Sequence, residues 1–518
     1  MRSKKALALL LAALMLCASL VSCTGDGSDG PGFSGNRGED GNWEDVDFGG
    51  ATLKVKVSAA QDDEGTFPAC DIYTKGPDGT TTDEIQKKVL ARNQKAASEL
   101  NIKVEYSTTD STVGEVFAEI EQYVRGAAED APDVFDNDIY GLVRGMMNGF
   151  LWNISNPGKD ANGNEVYSYF DFSYDGWYNE YMEGASFDPE KLYVLAGDYH
   201  IDLIRYAWVF FTNVDLFNST FGTTDYKSYD YMVEYIMGTN EFLYDDLTYL
   251  AKTGWRDTGS SRDEIDKNDQ IGICLNVISS RIFLACSGLS MVEWSGGEQG
   301  KGTPSVYPAE SEGANALNTL SQKFTELYNA EGVYCVSNVL DAVTQFFDGN
   351  VVLTVAKIGE MESAAMRETT FTRGILPFPR YDRNESDFVT VVHDQAEVSC
   401  ILNNASSFAM ASAYLQYINE ESDVVLEEYY ERGLKFKYNE SRSVRQMIDF
   451  IKEHIRSPFD SVLTVYLCDT STEKKQVYDI FKECATQNKN SFASTYHQHR
   501  GSYQTALETL LSRLAAQE

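Results

Sequence analysis

At the start of the folded part of the chain, segments in which apolar residues recur every two positions alternate with segments in which they recur every three or four positions. Residues 51–57 place apolar side chains between lysines at a period of two, which indicates a half-buried strand. From residue 82 to residue 100 the apolar side chains recur every three or four positions, which predicts a helix with one apolar face. The pattern then predicts a strand at 102–106, a helix at 112–128, a strand at 133–136 and a helix at 139–147. This alternation is typical of a parallel sheet with crossover helices.

The rest of the chain continues with both kinds of element. The pattern predicts helices at 229–237, 247–252 and 314–328 and a strand at 271–275. Two C-terminal segments, 443–455 and 474–516, are interpreted as amphipathic helices on the outside of a lobe. With 518 residues and 12% aromatic side chains, the chain can form a large core and more than one domain.

The first residues have the pattern of an export signal. Basic residues at positions 2, 4 and 5 precede an apolar run, 6–16, that is too short to span a bilayer. The run is followed by Leu20-Val21-Ser22-Cys23, which resembles the bacterial lipobox, whose cysteine is linked to diacylglycerol after cleavage. The sequence therefore predicts a lipoprotein signal peptide at 1–22 and a lipid anchor on Cys23. An ordinary signal peptide with a chance cysteine is the alternative.

The segment that follows the anchor is predicted to be a disordered tether. Residues 23–50 are rich in Gly, Asp, Ser and Asn and carry few aliphatic side chains that could enter a core. A lipid with two acyl chains is sufficient for stable attachment to a membrane. We therefore expect a protein that is held at the extracellular face of the cell membrane by its lipid anchor without crossing the membrane.

The net charge limits the classes of partner, and the number and spacing of the cysteines indicate whether disulfides form. The formal net charge of −36 repels nucleic acid and favours neutral or cationic partners. Besides Cys17 and Cys23 the chain has seven cysteines, an odd number with no CxxC spacing, so we interpret them as buried thiols rather than a disulfide framework. These seven are Cys70, Cys274, Cys286, Cys335, Cys400, Cys468 and Cys484.

The sequence offers little on which catalysis could rest. It contains no GxSxG, no HExxH, no P-loop and no glycine pattern of a dinucleotide fold. His497 and His499 would point to different faces of a helix, which disfavours a shared metal. Acidic residues are so abundant that no glycosidase pair can be singled out. We therefore predict that the protein is not an enzyme, binds no metal and uses no cofactor.

Several short segments, taken in order, resemble a known family. They are 48–50, 91–95, 99–103, 133–140, 191–198, 208–213, 346–353, 374–380 and 428–431. Their order and spacing are similar to those of bacterial extracellular solute-binding lipoproteins of ABC transporters, of the family 1, sugar-binding type. The likeness covers most of the mature chain, although residues 241–246 depart from the Gly-Lys-Trp-Thr run that the family usually has there.

The resemblance implies a fold and a division of the chain. The fold class would be α/β, periplasmic-binding-protein-like type II, with two α/β lobes, a hinge and an interlobe cleft. Lobe 1 would comprise 51–200 and 388–435, and lobe 2 would comprise 206–380 and 440–518. The chain would cross between the lobes near 197–208 and near 377–388.

Candidate binding residues follow from the expected cleft and from the chemistry of sugar recognition. Ligands of α/β sheets lie beyond the carboxyl ends of strands, and sugars need aromatic faces together with hydrogen-bonding side chains. The predicted ligand-binding residues are Asp138, Tyr140, Trp177, Tyr178, Asp198, Tyr199, Arg205, Asn276, Arg281 and Lys357. Trp255 and Trp294 are further aromatic candidates, whereas Trp208 lies inside an apolar strand and is assigned to the core.

Two functions from different classes remain open. The first is a solute-binding subunit that captures a small solute, an oligosaccharide, and delivers it to the permease subunits of an importer. The second is a secreted, lipid-anchored carbohydrate-active enzyme. The mixture of Arg205, Arg281 and Lys357 with Asp138 and Asp198 favours a neutral sugar over a polyamine or a basic peptide. Partners would be the sugar and the permease, with the membrane reached only through the anchor and no nucleic acid bound.

Overall fold

The fold is described from a computed structural model. It describes residues 37, 41–59, 75, 79, 81, 83–111, 113–126, 130–159, 163–188, 190–258, 265–276, 279–297, 299–382, 387–393, 396–437, 441–456, 463 and 475–515. The predicted signal peptide, Cys23 and most of the tether lie outside these residues. Within the residues described, no helix has both the length and the apolar character needed to cross a bilayer.

Strands and helices alternate over most of the described chain. The strands are β1 (Ala51–Ser58), β2 (Ile102–Thr109), β3 (Val134–Asp138), β4 (Trp208–Asn213), β5 (Ile271–Asn276), β6 (Val292–Trp294), β7 (Pro304–Val306), β8 (Val333–Val336), β9 (Val351–Lys357), β10 (Arg373–Leu376) and β11 (Glu397–Ile401). The first helices are α1 (Glu84–Glu99), α2 (Val113–Gly126), α3 (Ile139–Met147), α4 (Asn179–Gly184), α5 (Asp202–Arg205), α6 (Val214–Phe221), α7 (Tyr229–Thr239), α8 (Tyr244–Gly254) and α9 (Ser279–Cys286). The later helices are α10 (Glu312–Tyr328), α11 (Val339–Phe347), α12 (Ala364–Glu368), α13 (Phe408–Glu420), α14 (Asp423–Leu426), α15 (Arg442–Glu453), α16 (Val477–Thr486) and α17 (Phe492–Ala515). A 3₁₀ helix at Ile358–Glu362 and a π-helix at Glu427–Lys437 complete the set.

The first lobe is built on a four-stranded sheet in the order β11-β3-β1-β2. β1 is parallel to both β2 and β3, and β11 is antiparallel to β3. Leu53, Val55 and Val57 of β1 are fully buried while the lysines between them are half-buried, which explains the period of two. The carboxylate of Asp83 caps α1 by accepting the backbone N–H of Gln86 at 3.0 Å. The predicted strand–helix alternation is therefore confirmed.

The second lobe is built on a five-stranded sheet in the order β10-β4-β9-β5-β8. Every residue of β4, β5 and β9 is buried, as expected for strands covered by helices on both faces. A Cβ at Gly272 of β5 would overlap the carbonyl oxygen of Ala251, so only glycine lets α8 pack this closely on the sheet. Trp208 is buried in β4, which confirms its assignment to the core.

Two short strands and three C-terminal helices extend the second lobe. β6 and β7 form an antiparallel hairpin in which Val292 pairs with Val306. α15 packs on β10 and α7, α16 packs on α9 and α10, and α17 packs on α16 and β7. The amphipathic helices predicted in the C-terminal part of the chain are therefore present, with α17 also reaching α3 of the first lobe.

The first lobe begins earlier in the chain than the predicted tether allows. Val46 and Phe48 are buried, and the indole N–H of Trp43 donates to Glu420 Oε2 at 2.8 Å. The guanidinium of Arg37 also reaches Glu420, at 2.8 Å, and covers the Trp43 ring. These few apolar and aromatic side chains bring residues 41–50 onto the lobe, although the segment is mostly polar.

Five of the predicted thiols lie among the described residues, and none of the five forms a disulfide. Cys274, Cys286, Cys400 and Cys484 are buried, while Cys335 is half-buried. Burial raises the pKa of the Cys274 thiol to about 12, so this sulfur is an unreactive part of the core. The prediction of buried thiols is confirmed for these residues, and Cys70 and Cys468 lie outside the described part of the chain.

Candidate functional site

Two neighbouring chain segments form the hinge between the lobes. The backbone N–H of Trp208 donates to the carbonyl of Val391 at 2.9 Å, and the N–H of His393 donates to the carbonyl of Tyr206 at 2.9 Å. The first segment enters β4, and the second continues into β11. The first segment, 206–208, falls at the end of the crossing range that the resemblance implies, 197–208. The second pairs at 391–393, a few residues beyond the predicted 377–388.

The hinge contains two buried cations that the sequence assigns to ligand binding. The Arg205 guanidinium meets Glu362 through Nε at 3.0 Å and Nη2 at 3.3 Å, and its Nη1 lies 3.7 Å from Asp202. Lys357 Nζ lies over the rings of Tyr206, at 5.3 Å, and Trp208, at 5.9 Å. Both cations are fully buried and contact hinge residues, so we assign them a role in holding the crossing segments.

A cluster of buried carboxylates lies beside these cations at the carboxyl end of β3. Asp138 caps α3 by accepting the N–H of Gly141 at 3.0 Å, and it pairs across the sheet with Glu397. His200 Nε2 lies 3.8 Å from Asp136 Oδ2. Burial, aided by the nearby aspartates, raises the pKa of Glu397 well above its usual value. One carboxylate oxygen of Asp138, Oδ1, is occupied by the helix cap.

Tyr140 and Arg281 meet across the cleft, as their prediction as cleft residues implies. The Arg281 guanidinium, at the start of α9 in the second lobe, lies 5.0 Å from the centre of the Tyr140 ring in the first lobe. It also lies 5.5 Å from the ring of Tyr478 in α16. The arginine is therefore placed between two aromatic rings, and its contact with Tyr140 joins the lobes.

Tyr178 and Asp198 lie together where α15 approaches the hinge. Lys452 Nζ is 3.7 Å from Asp198 Oδ1, and both side chains are partly exposed. Burial raises the pKa of Asp198, while the neighbouring Lys452 opposes that shift. Burial also raises the pKa of the Tyr178 hydroxyl well above its usual value, so it remains a hydrogen-bond donor. These two residues stay candidates at the edge of the cleft.

The other three predicted residues are buried in the lobes. Trp177 donates from Nε1 to Gln416 Oε1 at 3.1 Å, and the Tyr199 hydroxyl donates to Ser399 Oγ at 2.7 Å. Asn276 is fully buried at the end of β5. The structure thus gives Trp177 and Tyr199 packing roles, because their polar atoms are used inside the first lobe.

Trp294 of the β6–β7 hairpin lines two cavities, and the smaller of them lies between the lobes. The larger cavity has a volume of about 700 Å³ and lies mainly against the second lobe. Its polar lining comes from Ser290, Glu293, Gln299, Tyr307, Ser311, Glu312 and Arg456. The smaller cavity, of about 450 Å³, is walled by both lobes. Its lining from the first lobe is Met146, Asn153, Ser186, Phe187, Asp188, Lys191 and Tyr193.

The hairpin and the segment after α15 bridge the cleft beside these cavities. Gln299 donates from Nε2 to the backbone carbonyls of Glu183, at 3.2 Å, and Ser186, at 2.9 Å. Arg456 Nε lies 3.0 Å from the carboxylate of Glu180. Because each contact joins one lobe to the other, the structure has its lobes in contact over the cavities. We define the cleft site as Trp294 with the two cavities that it lines.

Only part of this site is indicated by the sequence. Trp294 stands out as an aromatic candidate, and glycines at 296, 297, 300 and 302 mark a turn after it. The strands on either side are three residues long, too short to show a period. Among the described residues, no group of three or more His, Cys, Asp or Glu side chains is arranged to hold a metal ion.

Comparison with solved structures identifies the type of fold. No protein-family model and no curated protein matches the chain. The structure is similar to a family 1 extracellular solute-binding protein from Bifidobacterium longum subsp. infantis, with 14% identity, a TM-score of 0.50 and coverage of 90% of this chain and 99% of that chain. It is also similar to the apo form of RafE from Streptococcus pneumoniae, with 13% identity, a TM-score of 0.50 and coverage of 89% and 98%. The chain therefore has the type II fold of extracellular solute-binding proteins, with two α/β lobes, a hinge and a cleft between them.

Proposed function

We propose that this protein is the solute-binding subunit of an ABC importer, which captures an oligosaccharide between its lobes and delivers it to permease subunits. The observation that carries this proposal is the position of Trp294, which lines one cavity walled by both lobes and a second cavity whose Gln299 and Arg456 reach the first lobe. An indole face stacks well on the C–H surface of a sugar, and the hinge allows the lobes to close on a ligand. The fold that the chain shares with solute-binding proteins supports the same function.

The charges around the cleft site favour a neutral ligand. Arg456 faces Glu180, and Lys191 Nζ lies 3.7 Å from Asp188 Oδ2. Glu293 and Glu312 also line the larger cavity, so the lining carboxylates exceed the lining cations by one. That is a small excess for a cationic ligand, whose affinity would fall steeply with salt. Charged side chains that are already paired still offer hydrogen bonds to hydroxyl groups. The net charge of −36 is then assigned to the outer surface, where it keeps the protein soluble.

The test is a titration of the purified protein with neutral oligosaccharides by calorimetry, at low and at moderate salt. We expect saturable binding whose affinity changes less than about threefold between the two salt concentrations. Polyamines and a basic peptide serve as comparison ligands. Tight, salt-sensitive binding of these cations would show that the ligand is cationic and not a sugar. Hydrolysis of a chromogenic glycoside would favour the carbohydrate-active enzyme instead.

We further propose that the protein is attached to the extracellular face of the membrane through Cys23. We also propose the predicted lobe bounds, except that lobe 1 begins by residue 41 and its second segment begins after the crossing at 391–393. Labelled palmitate should be incorporated into the full chain, and Cys23→Ala should abolish the label and release the protein or leave its precursor uncleaved. Cys17→Ala is the matched control and should keep the label. Undiminished labelling of Cys23→Ala would contradict the anchor.

A further inference from the structure

The apolar face of the C-terminal helix α17 extends to the smaller cavity. Leu507 and Leu510 on this face are buried. At about 3.6 residues per turn Leu514 falls between them around the helix and Leu511 falls beside Leu507. Leu511 and Leu514 are half-buried, pack against the core and line the smaller cavity. Half-buried leucines that line a cavity present apolar surface to whatever enters it.

The surface around these leucines is also apolar. Pro304 of β7 and Met146 and Phe187 of the first lobe line the same cavity and are themselves buried. Together with Leu511, Leu514 and Trp294 they form what we call the apolar end of the cleft site. Its elements come from both lobes, so a group held there contacts both lobes at once.

Two of the polar side chains that line the smaller cavity are already bonded to the chain. The Ser186 hydroxyl lies within hydrogen-bonding distance of the carbonyls of Asp188, at 2.9 Å, and Lys191, at 2.6 Å. The carboxamide oxygen of Asn153 accepts the N–H of Ser155, at 3.2 Å, and its hydroxyl, at 2.7 Å. Lys191 and Asp188 line the same cavity as a partly exposed pair. At the leucines themselves a sugar hydroxyl would lose its hydration without equal replacement, whereas an apolar group would not.

We propose that the solute is an amphiphilic glycoside, whose sugar lies against Trp294 and the polar larger cavity and whose apolar aglycone fills the apolar end of the cleft site. This inference rests on the proposed binding of a sugar between the lobes. The larger cavity supplies Ser290, Glu312 and Arg456 for hydroxyl groups, and the smaller cavity supplies Leu511 and Leu514 for the aglycone. The two ends of the ligand are thus recognised by two different kinds of surface.

The test compares methyl and phenyl glycosides of the same sugar, using pairs built on glucose, galactose and maltose and protein purified without glycoside detergents. Calorimetry should give an affinity at least tenfold higher for the phenyl member of the best pair. Equal affinity within a pair would overturn the aglycone proposal and leave sugar binding intact. Binding of phenol as tight as that of the phenyl glycoside would show an apolar site that ignores the sugar, which also overturns the proposal. If no sugar or glycoside binds, the proposed function itself fails.

Substitutions of the leucines of α17 test where the aglycone binds. Leu511→Ser and Leu514→Ser, singly and together, should reduce the phenyl-to-methyl affinity ratio to less than about threefold, with the loss falling mainly on the phenyl glycoside. Leu340→Ser is the matched control, because Leu340 is an exposed leucine (49%) elsewhere on the second lobe. An unchanged ratio in the double variant, with its unfolding midpoint preserved, would exclude α17 from the site.

Discussion

Replacing Arg205 with methionine is expected to lower the free energy of unfolding by about 3–5 kcal/mol, the usual cost of removing one partner from a buried ion pair. Arg205 is fully buried and meets both Glu362 and Asp202. Methionine fills part of the volume but leaves the Asp202 carboxylate, which is only 1% exposed, beside an apolar side chain. Urea unfolding of the free protein measures the loss.

Arg432→Met is the control for this variant. Arg432 also contacts two carboxylates, those of Glu427 and Glu428, but its side chain is 61% exposed. Exposed pairs of this kind contribute little, so we expect the unfolding midpoint to stay nearly constant. If Arg205→Met leaves stability unchanged but abolishes ligand binding, Arg205 is a ligand-binding residue as the sequence predicts, and its hinge role is wrong.

Replacing Trp294 with alanine is expected to weaken solute binding by about 2 kcal/mol, or roughly 30-fold, as for truncation of a central aromatic contact. Trp294 is the side chain that both cavities of the cleft site share. Because it is half-buried at the end of β6, its removal should change the stability of the lobes far less than it changes affinity. Calorimetric titration measures the affinity, and urea unfolding measures the stability.

Two comparisons make the Trp294 result specific. Trp294→Phe keeps an aromatic face and should retain more of the affinity than alanine does. Tyr249→Ala removes an aromatic ring that is 42% exposed on α8 in the second lobe, and it should leave affinity unchanged. Equal affinities of Trp294→Ala and the unaltered protein would place the solute elsewhere in the cleft.

Local patterns of the sequence were sufficient for the elements of the lobes. The lysines between Leu53, Val55 and Val57 predict β1, and the apolar face of 82–100 predicts α1, because both periods depend on near neighbours in the chain. The hinge near Trp208 was accessible only through the family resemblance, since pairing with Val391 joins distant segments.

The partners of charged side chains could not be predicted in the same way. Arg205 and Glu362 are 157 positions apart, and nothing in either local sequence marks the other as its partner. A buried arginine at a crossing therefore looks the same in sequence whether it binds a ligand or holds a hinge. The cleft site itself depends on how α17 packs between α16 and β7 of the second lobe and α3 of the first lobe, which its local sequence does not determine.

Small-angle scattering recorded across the oligosaccharide titration tests most directly the claim that a solute is captured between the lobes. Binding that bridges both lobes favours the conformation in which Gln299 reaches the carbonyls of Glu183 and Ser186 and Arg456 reaches Glu180. We therefore expect the radius of gyration to fall as ligand is added and the saturated profile to agree with this structure. A profile that stays constant through saturation would contradict capture by closure of the cleft.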